Sequence, residues 1–298
     1  MASDGEIISL DWFPRNYKKM WSKTPVVMYV PGVFGRSCDV YSFKFCEMLT
    51  NRLGWRSFVF NRRLFAGNFK GTRFISYTHY SDWLEILDYV AREFPEANIY
   101  LVGVSMGALN IQKFLALYNN EKRVVAAVTI SSPFDAQSAA DLVLNNYFLN
   151  KVLHGHQVRV FREHLHNEKF TEFMRKKGID PIRVIESKTN QEFDAICSSV
   201  DLGVNSPRDY YNLLSVHTHI QEIKHPILSL NSEDDPLIPP SNVPLEEIVK
   251  NPNIIQLMVA GGGHIEYLSG LKGEFWAYDL AIDYLDVMEK RSQQILNL

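Results

Sequence analysis

Cysteine is scarce in this chain of 298 residues. Cys38, Cys46 and Cys197 stand far apart, form no CxxC pair and are odd in number. A disulfide framework and a cysteine zinc knuckle are both excluded, and the thiols are expected to be reduced. Excess charge is missing too: 31 Lys and Arg face 34 Asp and Glu, a formal net charge of -3. That balance excludes the basic footprint of a nucleic-acid binder and any acidic tail. No apolar run approaches the roughly 18 residues of a spanning helix, and the acidic start "MASDGEIISLDW" is unlike a signal peptide. The expected setting is therefore cytoplasmic. Repeats and low-complexity tracts are absent. One segment, "WFPRNYKKMW" (Trp12 to Trp21), mixes aromatic and basic residues in a way that suits peripheral contact with a membrane surface. An early strand followed by a solvated loop is the plainer and preferred reading of it. Nothing in the composition indicates an oligomeric state.

What the chain does have is alternation. "PVVMYV" (Pro25 to Val30), "SFVF" (Ser57 to Phe60), "NIYLVGV" (Asn98 to Val104) and "VVAAVTI" (Val124 to Ile130) are short, β-branched and apolar on both faces. Such runs suit the buried strands of a parallel sheet. Helical patterns lie between them. In "SDWLEILDYVAREF", Trp83, Ile86, Leu87, Val90 and Phe94 follow the i, i+3, i+4 rule, with Ser81 or Asp82 available as a cap. The expected class is α/β, a mostly parallel sheet with helices on both faces. After "SSPF" the pattern breaks. Asp135 to about Lys224 is polar, helical and poor in strand signals, and strands resume at "HPILSLN" (His225 to Asn231) and "IIQLMVA" (Ile254 to Ala260). A long helix closes the chain. The expectation is one domain with a helical lid inserted at about 135–224, over the carboxyl edge where open α/β sheets bind ligands.

Gly103-Val104-Ser105-Met106-Gly107 is a GxSxG placed where an apolar strand gives way to a helical pattern. Small neighbours let the chain turn sharply there, and the strained turn lifts a serine hydroxyl above the sheet. A hydroxyl needs a base to take its proton and an acid to orient that base. In α/β-hydrolases these follow in the order serine, acid, histidine. "LSLNSEDDPLIPP" offers two acids past a late strand: Asp235, beside Pro236, is the choice, and Asp234 is read as a turn residue or local ion-pair partner. The base is His264, after the three glycines of "AGGGHIEYL". Two N–H groups are then needed for the developing oxyanion. The backbones of Met106 and of Val33, in "MYVPGVFGRS", are expected to supply them.

At this point the chain resembles a known family. "PGVFGRS", "FNRR", "YSDWLEILDYV", "GVSMGA", "SSPFD", "DYYNLLSV", "LNSEDDP" and "GGGHIEYL" fall in the order seen in the YheT-like branch of α/β-hydrolases. That branch includes plant embryogenesis-associated proteins and animal hydrolase-domain proteins acting on acylglycerols and phospholipids. The resemblance runs from about Glu6 to about Glu289, with Tyr210-Tyr211 a more branch-specific mark than GxSxG. It implies an α/β-hydrolase fold, Ser105 as nucleophile, Asp235 as acid, His264 as base, and no cofactor. The chain departs from the pattern in "RRLFAGNF", where members often have a tighter glycine-rich stretch, and in lacking the leading membrane-spanning segment of the animal relatives.

The function expected is hydrolysis of acyl esters through an acyl-enzyme, on short- or medium-chain lipid esters such as acylglycerols or phospholipids. Two alternatives stand beside it: acyl transfer to an alcohol, and a non-catalytic lipid-binding protein of the same fold. Candidate substrate contacts are Phe34 and, in "DLVLNNYFLNKVL", Leu142, Val143 and Phe148, although that segment also reads as a helix packing on a core. A metal is not expected. The pairs His154-x-His156, His164-x-His166 and His217-x-His219 lie in the helical block, where residues two apart point away from one another.

Overall fold

The computed structural model describes residues 2–65, 69–70, 77–271 and 273–296. The Ala66-Gly67-Asn68 part of "RRLFAGNF" lies outside the described residues. The strands are β1 (Ser9–Phe13), β2 (Val26–Val30), β3 (Arg56–Asn61), β4 (Ile99–Val104), β5 (Val124–Ile130), β6 (Ile227–Ser232) and β7 (Ile254–Val259). They form a seven-stranded sheet in the order β1-β3-β2-β4-β5-β6-β7, and every pair from β3 across to β7 is parallel. The mostly parallel sheet expected from the apolar runs is therefore observed. Strand β5 has the bounds of the "VVAAVTI" run.

The chain divides into two compact units. The larger, Leu10–Phe60 with Tyr80–Phe134 and Val216–Leu298, holds the sheet. Every residue of β2, β3 and β4 is buried, because helices cover both faces. On one face Tyr29, Phe45, Tyr100, Tyr278 and Ile282 share a core with α1 (Val40–Leu53). The helix α1 ends at Gly54, whose φ of 65° closes the last turn through an N–H bond to the Thr50 carbonyl. On another side α2 (Ser81–Glu93) and α3 (Met106–Leu117) meet through Trp83 and Phe114, stacked at 5.2 Å. Neither Ser81 nor Asp82 is the cap of α2. Tyr80 holds that position without a side-chain cap bond, and its ring packs on Trp83 and Phe114. Aromatic packing thus lies at this helix start where a Ser81 or Asp82 side-chain cap was expected. The segment from Trp12 begins as the β1 strand, and Trp12 stacks on Tyr17 at 4.4 Å and meets Phe58 and Phe94. Trp21 alone of the two tryptophans is exposed, at 68%.

The smaller unit comprises Asp135–Ser215 with the described residues of Met1–Ser9 and Asn61–His79. It is helical: α4 (Ala136–Asn145), α5 (Tyr147–Glu163), α6 (Glu168–Lys176), α7 (Pro181–Glu186), α8 (Asn190–Ile196), α9 (Ser198–Leu202) and α10 (Pro207–Leu214). Side-chain caps start most of them, from Asp135, Asn146, Asn167, Asp180, Thr189 and Ser206. "DLVLNNYFLNKVL" is not one helix. Asn146 is extended and its side chain accepts from Leu149 N at 3.1 Å, so α4 stops and α5 starts there. The core of the unit is aromatic, with Phe69, Phe161, Phe170, Phe173 and Phe193 around Met174. The block ends at Ser215, earlier than the sequence pattern suggests. Val216 N and His217 N both donate to the Phe134 carbonyl, at 2.9 and 3.1 Å, which ties the chain back to the end of the β5 segment.

The remaining α-helices and strands belong to the sheet unit: α11 (Leu245–Ile248), the two-residue strands β8 (Leu268–Ser269) and β9 (Glu274–Phe275), and the closing helix α12 (Trp276–Leu296). Among the described residues no helix is long and apolar enough to cross a membrane.

Candidate active site

Because β2, β4, β5, β6 and β7 run parallel, the loops that leave their carboxyl ends emerge along one edge of the sheet. Strand β4 ends at Val104 and α3 begins at Met106, so Ser105 alone makes the turn, with φ 52° and ψ -123°. A side chain rarely adopts that conformation, and the fold enforces it. Ser105 N donates to the Ile130 carbonyl at 2.8 Å, and its own carbonyl accepts from Leu109 N. The flanking glycines are compulsory. A Cβ on Gly107 would sit 2.0 Å from the Val30 carbonyl oxygen, and one on Gly103 would sit 2.7 Å from the Gly107 backbone. The helix start is therefore pressed against the end of β2.

Asp235 comes to this hydroxyl from the loop after β6, and His264 from the loop after β7. His264 Nε2 lies 2.8 Å from Ser105 Oγ, and its Nδ1 lies 2.8 Å from Asp235 Oδ2. The Asp235 side chain is fully buried and the imidazole is 14% exposed. The other carboxylate oxygen, Oδ1, accepts from Leu237 N at 2.8 Å and Ile238 N at 3.0 Å. The turn that follows thus fixes the carboxylate, leaving Oδ2 to face the ring. With Nδ1–H donating to Asp235, Nε2 is left as an acceptor for the Ser105 hydroxyl.

The loop after β2 backs onto the serine. A Cβ on Gly32 would lie 3.4 Å from Ser105 Cβ. Among the described residues, neither Val33 N nor Met106 N has a hydrogen-bond acceptor. Neither donor is used up by the fold: Met106 N stands at a helix start, where such orphans are normal, and Val33 N lies in the loop after β2. Phe34 is buried and has a φ of 58°.

The structure thus brings Ser105, Asp235, His264, Val33, Met106 and Phe34 to loops at one sheet edge. Leu142, Val143 and Phe148 belong to the helical unit: Val143 is buried, Leu142 half-buried, and Phe148 is 70% exposed at the start of α5. The paired histidines are used locally. His154 Nε2 meets Ser187 Oγ and His164 Nε2 meets the Leu64 carbonyl, both at 2.9 Å. Among the described residues no three His, Cys, Asp or Glu side chains gather to hold a metal ion.

Sequence reasoning missed a support layer under the histidine loop. Tyr267 is fully buried with φ 41°, and its hydroxyl lies 2.8 Å from Ser131 Oγ at the end of β5. Burial pushes its phenol pKa upward, so it stays a neutral hydrogen-bonding group. The "GHIEYL" motif contained this tyrosine, but nothing in the spacing tied it to a serine 136 positions earlier.

A hydroxyl, an imidazole and a carboxylate bonded in series at the carboxyl edge of a parallel sheet lead to one family. Residues 25–271 match the α/β-hydrolase fold, and the chain belongs to that family. It is 31% identical over 281 residues to the phospholipase ABHD3 of Bos taurus, covering 91% of this chain and 66% of that protein. It is 28% identical over 302 residues to the embryogenesis-associated protein EMB8 of Picea glauca, covering 96% and 65%. The chain spans just under two thirds of the length of these relatives. The resemblance to animal and plant members of the fold, read from the motifs, is thereby met. Among solved structures, the esterase Pf2001 of Pyrococcus furiosus matches with a TM-score of 0.55 at 16% identity, covering 90% of this chain and 83% of that one. That likeness is one of fold.

Proposed function

We propose that this chain is a serine hydrolase of carboxylic esters, acting on short- or medium-chain lipid esters. The observation that carries the reading is the series Ser105 Oγ, His264, Asp235, joined by two contacts of 2.8 Å. In it, His264 Nε2 takes the Ser105 proton as Oγ attacks the ester carbonyl carbon. The carbonyl π pair moves to oxygen, where the Val33 and Met106 N–H groups receive the charge; each such donor is worth about 10²–10³ in turnover. The oxyanion collapses, His264 returns the proton to the leaving alkoxide, and an acyl-Ser105 remains. Water repeats the sequence, losing its proton to His264, and the acid leaves as Ser105 recovers its hydrogen. Asp235 keeps the ring in the working tautomer and balances the imidazolium.

The lipid part of the reading draws on the phospholipase relative. In the same reading the helical block 135–215 is a lid, and Leu142, Val143, Phe148 and Phe34 contact the acyl chain. A fluorophosphonate probe should label Ser105 and spare the Ser105→Ala protein. Across a series of acyl chain lengths, kcat/KM should rise roughly three- to fourfold per methylene until the pocket is outgrown, since each buried methylene contributes about 0.8 kcal/mol. No labelling and no hydrolysis of any ester in the series would refute the proposal.

A further inference from the structure

We infer that Asp234, the exposed neighbour of the proposed acid, is a positioning residue whose carboxylate fastens the glycine loop that carries His264. The inference rests on the reading of Ser105, His264 and Asp235 as the reacting series. Asp234 Oδ1 accepts from Gly262 N at 3.0 Å and from Gly263 N at 2.9 Å, and Ser232 Oγ donates to the same oxygen. Gly263, which directly precedes His264, takes a φ of 62°. Side chains rarely adopt that conformation, so the bend just before the imidazole depends on glycine and on what holds it.

The far end of the loop is fastened separately. Tyr267 N donates to the Gly262 carbonyl at 3.0 Å, and the tyrosine ring lies where a Cβ on Gly262 would fall, 2.5 Å away. Between the two fastenings, the backbone N–H and carbonyl of His264 make no hydrogen bond to a described residue. The ring is therefore placed by its own two side-chain bonds and by the two clamps on either side. Gly262 sits in both. The hydrogen bond from Ser232, then that from Gly263, hold the Asp234 carboxyl below the usual range, so it serves as an ionised acceptor at neutral pH. The adjacent acids divide the work. Asp235 faces the imidazole, while Asp234 holds the backbone that delivers it.

An exposed aspartate contributes little to a core, but a displacement of the base does not pass unnoticed in the reaction. A misplacement of about 1 Å costs on the order of 10²-fold in rate. The test compares Asp234→Ala, which removes the acceptor, with Asp234→Asn, whose amide oxygen can still accept from both glycine amides. For hydrolysis of a short p-nitrophenyl ester, Asp234→Ala should lower kcat about 10- to 100-fold with KM within about twofold, and Asp234→Asn should stay within about threefold of the parent. Hydrogen exchange at the Gly262 and Gly263 amides should quicken in Asp234→Ala and remain slow in Asp234→Asn. Equal losses in the two variants would overturn the inference, because charge and not acceptor geometry would then matter. So would an alanine variant with the parent's kcat and exchange rates. Should Asp234→Ala fail to fold, Asp234→Ser, too short to reach both amides, takes its place in every comparison. The exchange measurement needs no turnover. If the parent hydrolyses no ester and resists fluorophosphonate, the proposed function falls, while exchange still decides the clamp.

Discussion

Asp235 in the sheet unit and Asp194 in the helical unit are both shut away from water, and both of their oxygens accept hydrogen bonds, yet the donors differ in kind. Asp235 is held by two backbone N–H groups of its own turn and by an imidazole. Asp194 is held by side chains: Tyr211 Oη at 2.7 Å, Ser198 Oγ at 2.6 Å and Gln157 Nε2 at 3.2 Å. Burial pushes its carboxyl up to about 6, against the pull of those three donors. The comparison shows two uses of a buried acid. Donors supplied by the chain path leave one oxygen free to face a ring that, in the proposed reaction, gains and loses a proton. Donors that are all neutral side chains knit helices α5, α8, α9 and α10 together, at the cost of a carboxylate that ionises with difficulty.

The comparison breaks first at the serine. Ser105→Ala should lower ester turnover by about six orders of magnitude in a folded protein, as losing the nucleophile of a triad does. Steady-state hydrolysis with circular dichroism alongside checks it. Next comes the pair of aspartates. Asp235→Asn should cost about 10⁴ in kcat by upsetting the imidazole tautomer, and Asp194→Asn should cost far less because no reacting group depends on it. Matching losses would erase the distinction drawn above.

Stability sharpens it further. Phe114→Ala in the sheet unit and Phe170→Ala in the helical unit should each cost about 3–5 kcal/mol, the usual range for emptying an aromatic site. All five tryptophans (Trp12, Trp21, Trp55, Trp83 and Trp276) belong to the sheet unit. Urea curves followed by tryptophan fluorescence should therefore report Phe114→Ala directly. For Phe170→Ala, loss of far-UV circular dichroism should come at lower urea than loss of fluorescence. Coincident curves would show that the units unfold together.

Titration gives a smaller effect. The Asp194 pKa is raised in the folded chain, so the folded state binds the proton more tightly than the unfolded state does. Its contribution is neutral below about pH 4, where both states are protonated, and turns unfavourable as pH rises through about 6. Measured as the difference between the parent and Asp194→Asn, the parent should lose roughly 1–3 kcal/mol between pH 4 and 7. A flat difference would refute it. The smallest effect belongs to carboxylates left in water. Arg52 reaches Asp279 at 2.8 Å and Asp283 at 2.6 Å on the surface. Arg52→Ala should nonetheless cost no more than about 1 kcal/mol, and less in high salt.

How far the sequence speaks depends on how local each cause is. The sheet was legible because strands buried on both faces are mostly apolar, as "VVAAVTI" is. Ser105 was legible because the turn needs Gly103 and Gly107, which leave a mark in four consecutive steps. His264 announced itself through the three glycines before it. What stayed hidden was cooperation across distance. Asp234 finds Gly262 and Gly263 at 28 and 29 positions' remove, and an exposed acid in a turn looks the same whether or not it grips another loop. Asp194 sat in "NQEFDAICSSV" as one polar letter in a helix, with its partner tyrosine 17 positions on. The Tyr80 start of α2 escaped for a related reason: ring packing substitutes for a capping hydroxyl, and ring packing has no local signature.

The arrangement of strands also sets a clock. Ser105 and His264, its base in the proposed reaction, are 159 positions apart, with the helical block synthesised between them. At roughly 5–20 residues per second, a ribosome needs about 8–30 seconds to travel from the serine codon to the histidine codon. Throughout that interval the nascent chain carries the proposed nucleophile without the proposed base, because His264 does not yet exist. On the proposed mechanism a chain released early at any point between the two codons would be inert, and reactivity would begin only when the last parallel strand takes its place on the sheet.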